Sequence, residues 1–392
     1  MMIPLKQALE IVLNSARALE CERVDVRASL GRVLAEDVVS DMDMPPFDKS
    51  LVDGYACRRA DLACELSVVE TIPAGTVPTK SIGAGQCAKI MTGAAVPSGA
   101  DCVVMIEQTE RVDGETIRLT EERTRDNIAG RASDLKTGQV VLPRGGRIAP
   151  QHIAVLASVG CTRPLVARRP RVGLIAGGDE LVAPETEPGP SQIRNSNGFQ
   201  LAAQVEAMGA AVRDYGTVKD VAADIDRMLK AALGENDVVL MSGGVSMGDF
   251  DFVPSVLRQN GVELLFEKIA VKPGKPTVFG TSESGYCFGL PGNPVSTFVT
   301  FELLVKPFLY RLMGCDHAPV CVEMCLSESV VRKDTERQGW IPVEVLDSTS
   351  VRPVEYRGSA HILALCQADG LIAMEIGVGR IDKDSRVSVR LF

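Results

Sequence analysis

The chain contains few aromatic residues and few histidines. Among its 392 residues, histidine occurs three times, tryptophan occurs once, and aromatic side chains make up 4% of the total. The histidines are far apart, and no two cysteines stand in a Cys-x-x-Cys arrangement. A zinc site of the usual spacing is therefore not expected. The scarcity of aromatic residues also disfavours a stacking platform for single-stranded nucleic acid.

Excess positive charge and long apolar runs are lacking as well. The formal net charge is −9, which disfavours nonspecific binding to nucleic acid or to an anionic membrane surface. No apolar run approaches the roughly 20 residues that cross a bilayer, and the first residues do not resemble a secretory signal. We therefore expect a cytoplasmic protein with no nucleic-acid and no membrane partner. Its eleven cysteines should be mostly reduced thiols.

Pattern changes predict several domains in a globular chain that is 45% hydrophobic. Residues 4–19 and 150–159 have apolar positions at helical spacing. Between them, from about residue 66 to residue 142, short β-branched runs predict a β module. Within it, residues 103–106 and 116–119 with a central Asp113-Gly114 turn predict a hairpin. We interpret the β module as an insertion into a helical domain.

Strands and helices alternate from Arg171 to about Met313, which predicts a mostly parallel sheet with helices on both faces. The predicted strands are 172–176, 212–216, 237–241, 267–271 and 286–290, and the predicted helices are 197–208, 221–233 and one that begins at 294. Beyond Cys321, strand patterns at 322–326, 340–346, 371–376 and 386–392 predict a small β-barrel or sandwich.

Three polar loops fall at the carboxyl ends of predicted strands, where open α/β sheets bind ligands. They cover residues 177–181, 242–251 and 291–296. In the second loop, glycines allow close backbone approach to a phosphate, and Asp249 and Asp251 could hold Mg²⁺. The alternative is a tight turn whose aspartates cap a helix.

Further charged and polar residues lie beside these loops. Lys272 and Lys275 stand on a proline-stiffened loop and could clamp a phosphate, or they could be solvated surface lysines. Glu180 could hold a metal or a ribose hydroxyl, or cap a turn. Asn293 and Pro294 begin a helix whose amides could face an anion. The pattern favours carboxylates, a divalent cation and phosphate over a protein nucleophile.

Seven motifs in order resemble the molybdopterin molybdenumtransferase family, which includes bacterial molybdopterin-synthesis enzymes and the E domain of gephyrin. The motifs extend over nearly the whole chain and occupy residues 47–56, 90–97, 177–181, 242–248, 271–276, 289–296 and 358–361.

The resemblance implies a multidomain fold of α/β and β parts. It implies an elongated helical dimerisation domain (1–46 and 138–168), an inserted β domain (47–137), a three-layer molybdopterin-binding α/β domain (169–318) and a C-terminal β-barrel (319–392). It also implies a homodimer whose active site combines the α/β domain of one subunit with the inserted region of the other. Expected partners are a molybdopterin adenylyltransferase and apo-molybdoenzymes or their chaperones.

The resemblance further implies that adenylated molybdopterin and molybdate enter, while AMP and molybdenum cofactor leave, with Mg²⁺ as cofactor. On this basis the catalytic residues are expected to be Asp53, Thr92, Glu180 and Asp237, with Asp249 and Asp251 as metal ligands. The expected substrate-binding residues are Asp134, Ser242, Gly243, Gly244, Ser246, Lys272, Lys275, Pro291, Gly292, Asn293, Pro294 and Ser296.

The sequence departs from the family pattern at a few positions, and alternatives follow. Lys49, Ala132, Ser133 and Asn195 replace more usual residues, and the added charge of Lys49 raises the hypothesis of a tungstate preference. An adenylyltransferase of related fold would consume ATP and free molybdopterin. A gephyrin-like scaffold would instead expose an apolar groove at a dimer.

Overall fold

The computed structural model describes residues 2–121, 123–245 and 252–392. Ser246, Asp249 and Asp251 lie outside these residues. Elements are numbered in chain order. No helix in the described ranges is both long and apolar enough to cross a membrane.

Two separated parts of the chain fold together through short strand pairs. Helix α1 (Leu5–Ser15) buries Ala8 and Val12 in the same core as the later α/β sheet. Helix α2 (Pro150–Ser158) packs in a different core through Leu156. The antiparallel pairs are β1 (Cys21–Arg23) with β12 (Leu165–Ala167), β2 (Val38–Val39) with β11 (Val140–Leu142), and β3 (Lys49–Ser50) with β10 (Ile128–Ala129). Both predicted helices are present, and α1 ends at Ser15 rather than at residue 19.

The region between these parts contains the predicted β module. Its sheet has the order β7-β4-β6-β5-β9-β8. The strands are β4 (Gly54–Cys57), β5 (Leu66–Ile72), β6 (Gln86–Ile90), β7 (Cys102–Met105), β8 (Thr109–Arg111) and β9 (Thr116–Leu119). The predicted hairpin is wrong in its first strand, because the Asp113-Gly114 turn joins β8 to β9, while β7 pairs with β4. Strand β8 is polar, so a search for apolar strand patterns does not predict it.

The α/β region has a six-stranded sheet of order β16-β13-β17-β21-β20-β18, in which the first four strands are parallel. The strands are β13 (Arg171–Gly177), β16 (Ala211–Val218), β17 (Val238–Ser242), β18 (Glu263–Phe266), β20 (Val278–Thr281) and β21 (Tyr286–Leu290). A mostly parallel sheet is therefore confirmed. The predicted strand at 267–271 is wrong, because the apolar run before it forms the edge strand β18 instead.

Helices cover both faces of this sheet, as predicted. Helices α3 (Asn197–Ala207) and α6 (Pro294–Thr300) pack on one face, and α4 (Ala222–Glu235) and α5 (Val253–Gln259) pack on the other. Helix α6 continues through a π-helical turn (Phe301–Val305) into α7 (Lys306–Leu312). Short 3₁₀ helices occupy Val26–Ala28, Arg59–Asp61, Ile106–Gln108 and Ile362–Gln367.

A closed five-stranded β-barrel follows, in agreement with the barrel prediction. Its strands β22 (Cys321–Leu326), β24 (Gln338–Val345), β25 (Ser350–Pro353), β26 (Gly370–Met374) and β28 (Arg386–Leu391) close through the pairing of β24 with β26. Strand β19 (Val271–Lys272) adds to β24 and so joins the α/β region to the barrel. The remaining pairs are β14 (Leu181–Val182) with β15 (Ile193–Arg194) and β23 (Val330–Val331) with β27 (Arg380–Ile381).

Candidate active site

A cavity of about 640 Å³ opens at the carboxyl ends of the parallel strands. Loops after β13, β16, β17 and β21 contribute its walls, together with the start of α3. This is the edge at which open α/β sheets bind ligands. The described lining residues are Gly177, Gly178, Glu180, Leu181, Ile193, Arg194, Asn195, Ser196, Asn197, Asp220, Gly243, Gly244, Val245, Pro276, Pro291, Gly292, Asn293, Pro294, Ala360 and Ile362.

Glycine is required where two of these loops meet. Gly243 has a φ of 89°, and a Cβ added there would lie 2.3 Å from the carbonyl oxygen of Gly177. Gly243 also donates its N–H to the carbonyl of Leu290, 3.1 Å away. The loops after β13, β17 and β21 are thus packed backbone against backbone. Their proximity leaves peptide groups available to line the cavity, as phosphate-binding loops do.

The first turn of α3 is anchored from the cavity wall. Buried Asn195 accepts the N–H of Gly198 on Oδ1 at 3.0 Å, and so caps the helix. Asn197 donates Nδ2 to the carbonyl of Gly292 at 2.7 Å, which ties α3 to the loop before α6. Because Asn195 is neutral, the cap adds no negative charge to a helix start, a position that attracts anions.

Two carboxylates, Glu180 and Asp220, line the cavity together. The Glu180 carboxylate folds back over Gly178, where an added Cβ would lie 2.6 Å from its Oε2. The N–H of Asp220 donates to Oδ1 of Asp179 at 3.1 Å, and this hydrogen bond links the loops after β13 and β16. Sequence reasoning missed Asp220. The available signal was its place after β16, since that strand also ends at the ligand edge.

Seven residues of the sequence-predicted site line this cavity. They are Glu180, Gly243, Gly244, Pro291, Gly292, Asn293 and Pro294. Ser242 and Ser296 are buried beside it, at 2% and 4% exposure, and are not among its described lining residues. The predicted contributions of Ser246, Asp249 and Asp251 fall outside the described residues.

Asp237, an expected catalytic residue, does not line the cavity within one chain. It precedes the amino end of β17, whereas the cavity lies beyond the carboxyl end. Arg168 donates two hydrogen bonds of 2.7 Å to the two carboxylate oxygens, and the N–H of Arg171 donates at 2.8 Å. Burial raises the pKa of Asp237, but these hydrogen bonds outweigh burial and the net pKa is lowered. Its carboxylate therefore ties the start of the α/β region to β17.

The two predicted clamp lysines lie beside the cavity rather than in its wall. Pro276 lines the cavity, while the adjacent Lys275 lines a second, polar cavity of about 450 Å³. Lys272 Nζ lies 3.4 Å from Oδ2 of Asp334. The pKa of Asp334 is lowered to about 2, chiefly by the hydrogen bond from Arg337. The loop between the lysines thus lies between the first cavity and a second one that is lined by three basic residues (Lys275, Lys333, Arg337) and two acidic ones (Asp334, Glu336).

Asp53 and Thr92 form an exposed pair on the β module. Neither residue is among the described lining residues of the cavity in the same chain. The N–H and the hydroxyl of Thr92 donate to Oδ1 of Asp53 at 2.6 Å and 2.8 Å. The N–H donation, with the hydroxyl, lowers the pKa of Asp53. The carbonyl of Asp53 accepts the N–H of Ile106 at 3.0 Å, so three strand ends converge on it.

Asp134 and three of the departing positions lie in the chain segments just before and just after the β module. Asp134 is exposed and accepts the hydroxyl of Ser133 at 3.1 Å. Ala132 has a φ of 60°, which L side chains rarely adopt. Lys49 pairs with Ala129 in the β3–β10 ladder. None of these residues lines the described cavity within one chain.

Comparisons with known proteins match the whole length of the chain. Residues 3–160 match the family model described as MoeA N-terminal region (domain I and II). Residues 173–311 match the model described as probable molybdopterin binding domain. The molybdopterin molybdenumtransferase of Staphylococcus aureus (strain Mu50) is 36% identical over 389 residues, covering 96% of this chain and 92% of that protein. A Staphylococcus epidermidis protein of the same name (strain RP62A) matches equally.

Solved structures agree with this match. The molybdopterin biosynthesis MoeA protein of Pyrococcus horikoshii OT3 is 30% identical, covers 100% of both chains and superposes with a TM-score of 0.88. Both the sequence and the fold thus extend the similarity to the barrel, beyond the two family models. The chain belongs to the MoeA family, the molybdopterin molybdenumtransferases of molybdenum cofactor biosynthesis.

Proposed function

We propose that this protein inserts molybdenum from molybdate into adenylated molybdopterin and releases AMP, in the cytoplasm. One observation carries the proposal: two carboxylates and a set of close-packed glycine loops line one cavity at the carboxyl edge of the α/β sheet. That donor set suits a phosphoanhydride, whose oxygens require amide donors and whose cleavage requires charge neutralisation.

The glycine loops and the start of α3 are the proposed cradle of the pyrophosphate. Peptide groups around Gly243, Gly244 and Gly292 can approach phosphate oxygens closely because no Cβ intervenes. The neutral cap Asn195 and the guanidinium of Arg194 on the same wall leave this part of the cavity suited to an anion. These groups bind and orient the substrate before the bond breaks.

Mg²⁺ fits the other part of the cavity. Glu180 and Asp220 supply the hard carboxylate oxygens that Mg²⁺ prefers, and Asp249 and Asp251 are further proposed ligands. When bound, the ion would polarise the phosphoanhydride and offset charge on the departing AMP. Within the described residues, no group of three or more His, Cys, Asp or Glu forms a site by itself. The substrate phosphates would complete the ligand set, as is usual for Mg²⁺.

Molybdate is the proposed second substrate, and the loop from Lys272 to Lys275 is proposed to bind it as it enters the site. Lys275 lines a cavity together with Lys333, Arg337, Asp334 and Glu336, which leaves an excess of one positive charge, and its neighbour Pro276 lines the first cavity. A divalent oxyanion held there would lie at the rim of the pyrophosphate site. Tungstate has the same charge and shape as molybdate, so the loop with Lys272 and Lys275 would bind either oxyanion.

A homodimer is proposed to complete the site. On the surface of the β module, Thr92 holds the Asp53 carboxylate in place through two hydrogen bonds, whereas the cavity belongs to the α/β region. A second copy that presents Asp53 and Asp134 to the cavity would add carboxylates to orient the oxyanion. The proposed domain bounds are those predicted above. A molybdopterin adenylyltransferase upstream and apo-molybdoenzymes or their chaperones downstream are the corresponding proposed partners.

The test compares AMP release by the wild type, Glu180→Gln and Asp220→Asn, with Asp224→Asn as the control. Asp224 is a partly exposed carboxylate on α4, paired with Arg227 and outside the cavity lining. We expect the two cavity variants to lose at least roughly hundredfold in rate, as preorganised charge-stabilising groups do, and the control to remain normal. Normal release by both cavity variants would overturn the proposed site.

Subunit complementation tests the dimer. Asp53→Asn and Glu180→Gln proteins are mixed after reversible dissociation, because a mixed dimer contains one site with neither substitution. Recovery of part of the wild-type rate is expected. No recovery, with mixed dimers demonstrated by mass, would contradict the shared site.

A further inference from the structure

Three buried cysteines lie side by side across the β module. Cys57 ends β4, and it lies opposite Cys102 on β7 and opposite Cys87 on β6. All three are 0% exposed and belong to one apolar cluster. The Sγ atoms of Cys57 and Cys102 are 3.7 Å apart. Nothing in the proposed reaction uses these thiols.

We propose that Cys57 and Cys102 form a reversible disulfide under hydrogen peroxide, and that this bond loosens the Asp53–Thr92 pair. Directly opposed residues on antiparallel strands have Cα atoms about 4.5–5.5 Å apart, within the range that disulfides bridge. The two sulfurs are 3.7 Å apart and a disulfide requires about 2.05 Å, so bond formation combines side-chain rotation with a small approach of β4 and β7 at this point.

The pair lies where the two strands end, next to solvent. Cys102 is the first residue of β7, and exposed Asp101 precedes it. The N–H of Asp101 donates to the carbonyl of Cys57, and the N–H of Arg59 donates to Asp101. Opening of these few terminal hydrogen bonds admits a molecule as small as peroxide, because strand ends open at lower free energy than strand centres.

The local chemistry makes Cys102 the attacking thiolate. The contact with Cys57 lowers the pKa of Cys102, while the same contact, foremost, and burial raise the pKa of Cys57. The Cys102 thiolate forms a bond to one peroxide oxygen, the O–O bond breaks, and hydroxide leaves. Cys57 then loses its proton, attacks the sulfenic sulfur of Cys102 and expels its oxygen as hydroxide. In total, two thiols and one hydrogen peroxide give one disulfide and two waters.

The short strand β4 connects this pair to the proposed site. Gly54 begins the strand directly after Asp53, and Cys57 ends it. Strand β4 lies between β7 and β6, and Thr92 follows β6. Drawing Cys57 toward Cys102 moves β4 toward β7 and away from β6. The hydrogen bonds from Thr92 to Asp53 are thereby stretched, while that from Ile106, which follows β7, is retained.

The experiment treats the full chain with hydrogen peroxide, maps disulfides by peptide mass, and then reduces the sample with dithiothreitol. A Cys57–Cys102 link that disappears on reduction is expected in the wild type and in Cys87→Ser, and it should be absent in Cys102→Ser. Cys87→Ser is the matched control, since Cys87 is equally buried and also opposes Cys57. Oxidation confined to the exposed Cys21, Cys64, Cys321 and Cys366 would overturn the proposal.

Amide hydrogen exchange tests the coupling without any assay of activity. In the oxidised wild type, we expect exchange of the Thr92 amide to accelerate at least fivefold and to recover on reduction. Unchanged exchange in a protein that contains the disulfide would overturn the coupling. The expected several-fold loss of AMP release rests on the proposed function. If exchange changes and AMP release does not, the coupling stands and the catalytic role of Asp53 is contradicted.

Discussion

Oδ1 of Asp53 accepts two hydrogen bonds from Thr92, one from the backbone N–H at 2.6 Å and one from the hydroxyl at 2.8 Å. Both residues are exposed, so packing does not account for the arrangement. The paired donors hold the carboxylate in one orientation and keep its pKa below the usual value. An oriented, ionised carboxylate on an open surface suits a ligand or a second subunit.

Thr92→Ala removes the hydroxyl donor and should slow AMP release roughly tenfold, since the Asp53 carboxylate loses one of the two donors that orient it. Thermal unfolding should be nearly unchanged because both side chains are exposed. Thr92→Ser keeps the donor and serves as the matched control. Equal rates for the alanine and serine variants would show that the hydroxyl does not act on Asp53.

Gly243→Ala should disrupt the cavity. Its Cβ would lie 2.3 Å from the Gly177 carbonyl oxygen, at a φ of 89°. We expect a stability loss of about 1–3 kcal/mol from strained backbone and clash, and substrate binding weakened by more than tenfold. The control is Gly216→Ala, where φ is 82° but nothing lies within 4 Å of the added Cβ. If both variants bind substrate normally in calorimetry, the close approach of the loops is not needed for binding.

Asp237→Asn should affect stability rather than chemistry. The side chain is 12% exposed and its two oxygens accept bonds from Arg168 and Arg171. We expect the free energy of unfolding in urea to fall by about 2 kcal/mol, since removing one partner leaves buried charge uncompensated. The control Asp224→Asn removes a partly exposed partner of the exposed Arg227 and should change the free energy of unfolding by less than about 1 kcal/mol. A catalytic Asp237 would instead show lost AMP release at unchanged stability.

The same ion pair predicts a pH dependence. The folded state has a lowered pKa for Asp237, so its stabilisation is fully present above the unfolded-state value near 3.8 and is lost as pH falls through the folded value. The difference in unfolding free energy between wild type and Asp237→Asn should therefore be constant from pH 7 to pH 5 and shrink toward pH 3. A difference that grows on acidification would contradict the assigned partners.

Sequence patterns predicted the parallel sheet, the barrel and the ligand edge because each depends on local periodicity and on Gly and Pro positions. The expectation for Asp237 came from the family resemblance and not from these patterns, which place it at the start of β17, away from the ligand edge. Asp220 was missed because it stands alone after β16 without glycine neighbours, and only folding brings it beside Glu180. The pairing of Cys57 with Cys102 depends on strand order, which a single sequence does not encode locally.

The central claim is tested most directly by incubating the purified protein with adenylated molybdopterin and Mg²⁺, with and without molybdate, and measuring AMP and the activation of an apo-molybdoenzyme. The account predicts AMP release that depends on molybdate and on Mg²⁺, together with cofactor that activates the apoenzyme. Tight binding of the nucleotide without AMP release under molybdate or tungstate would contradict it.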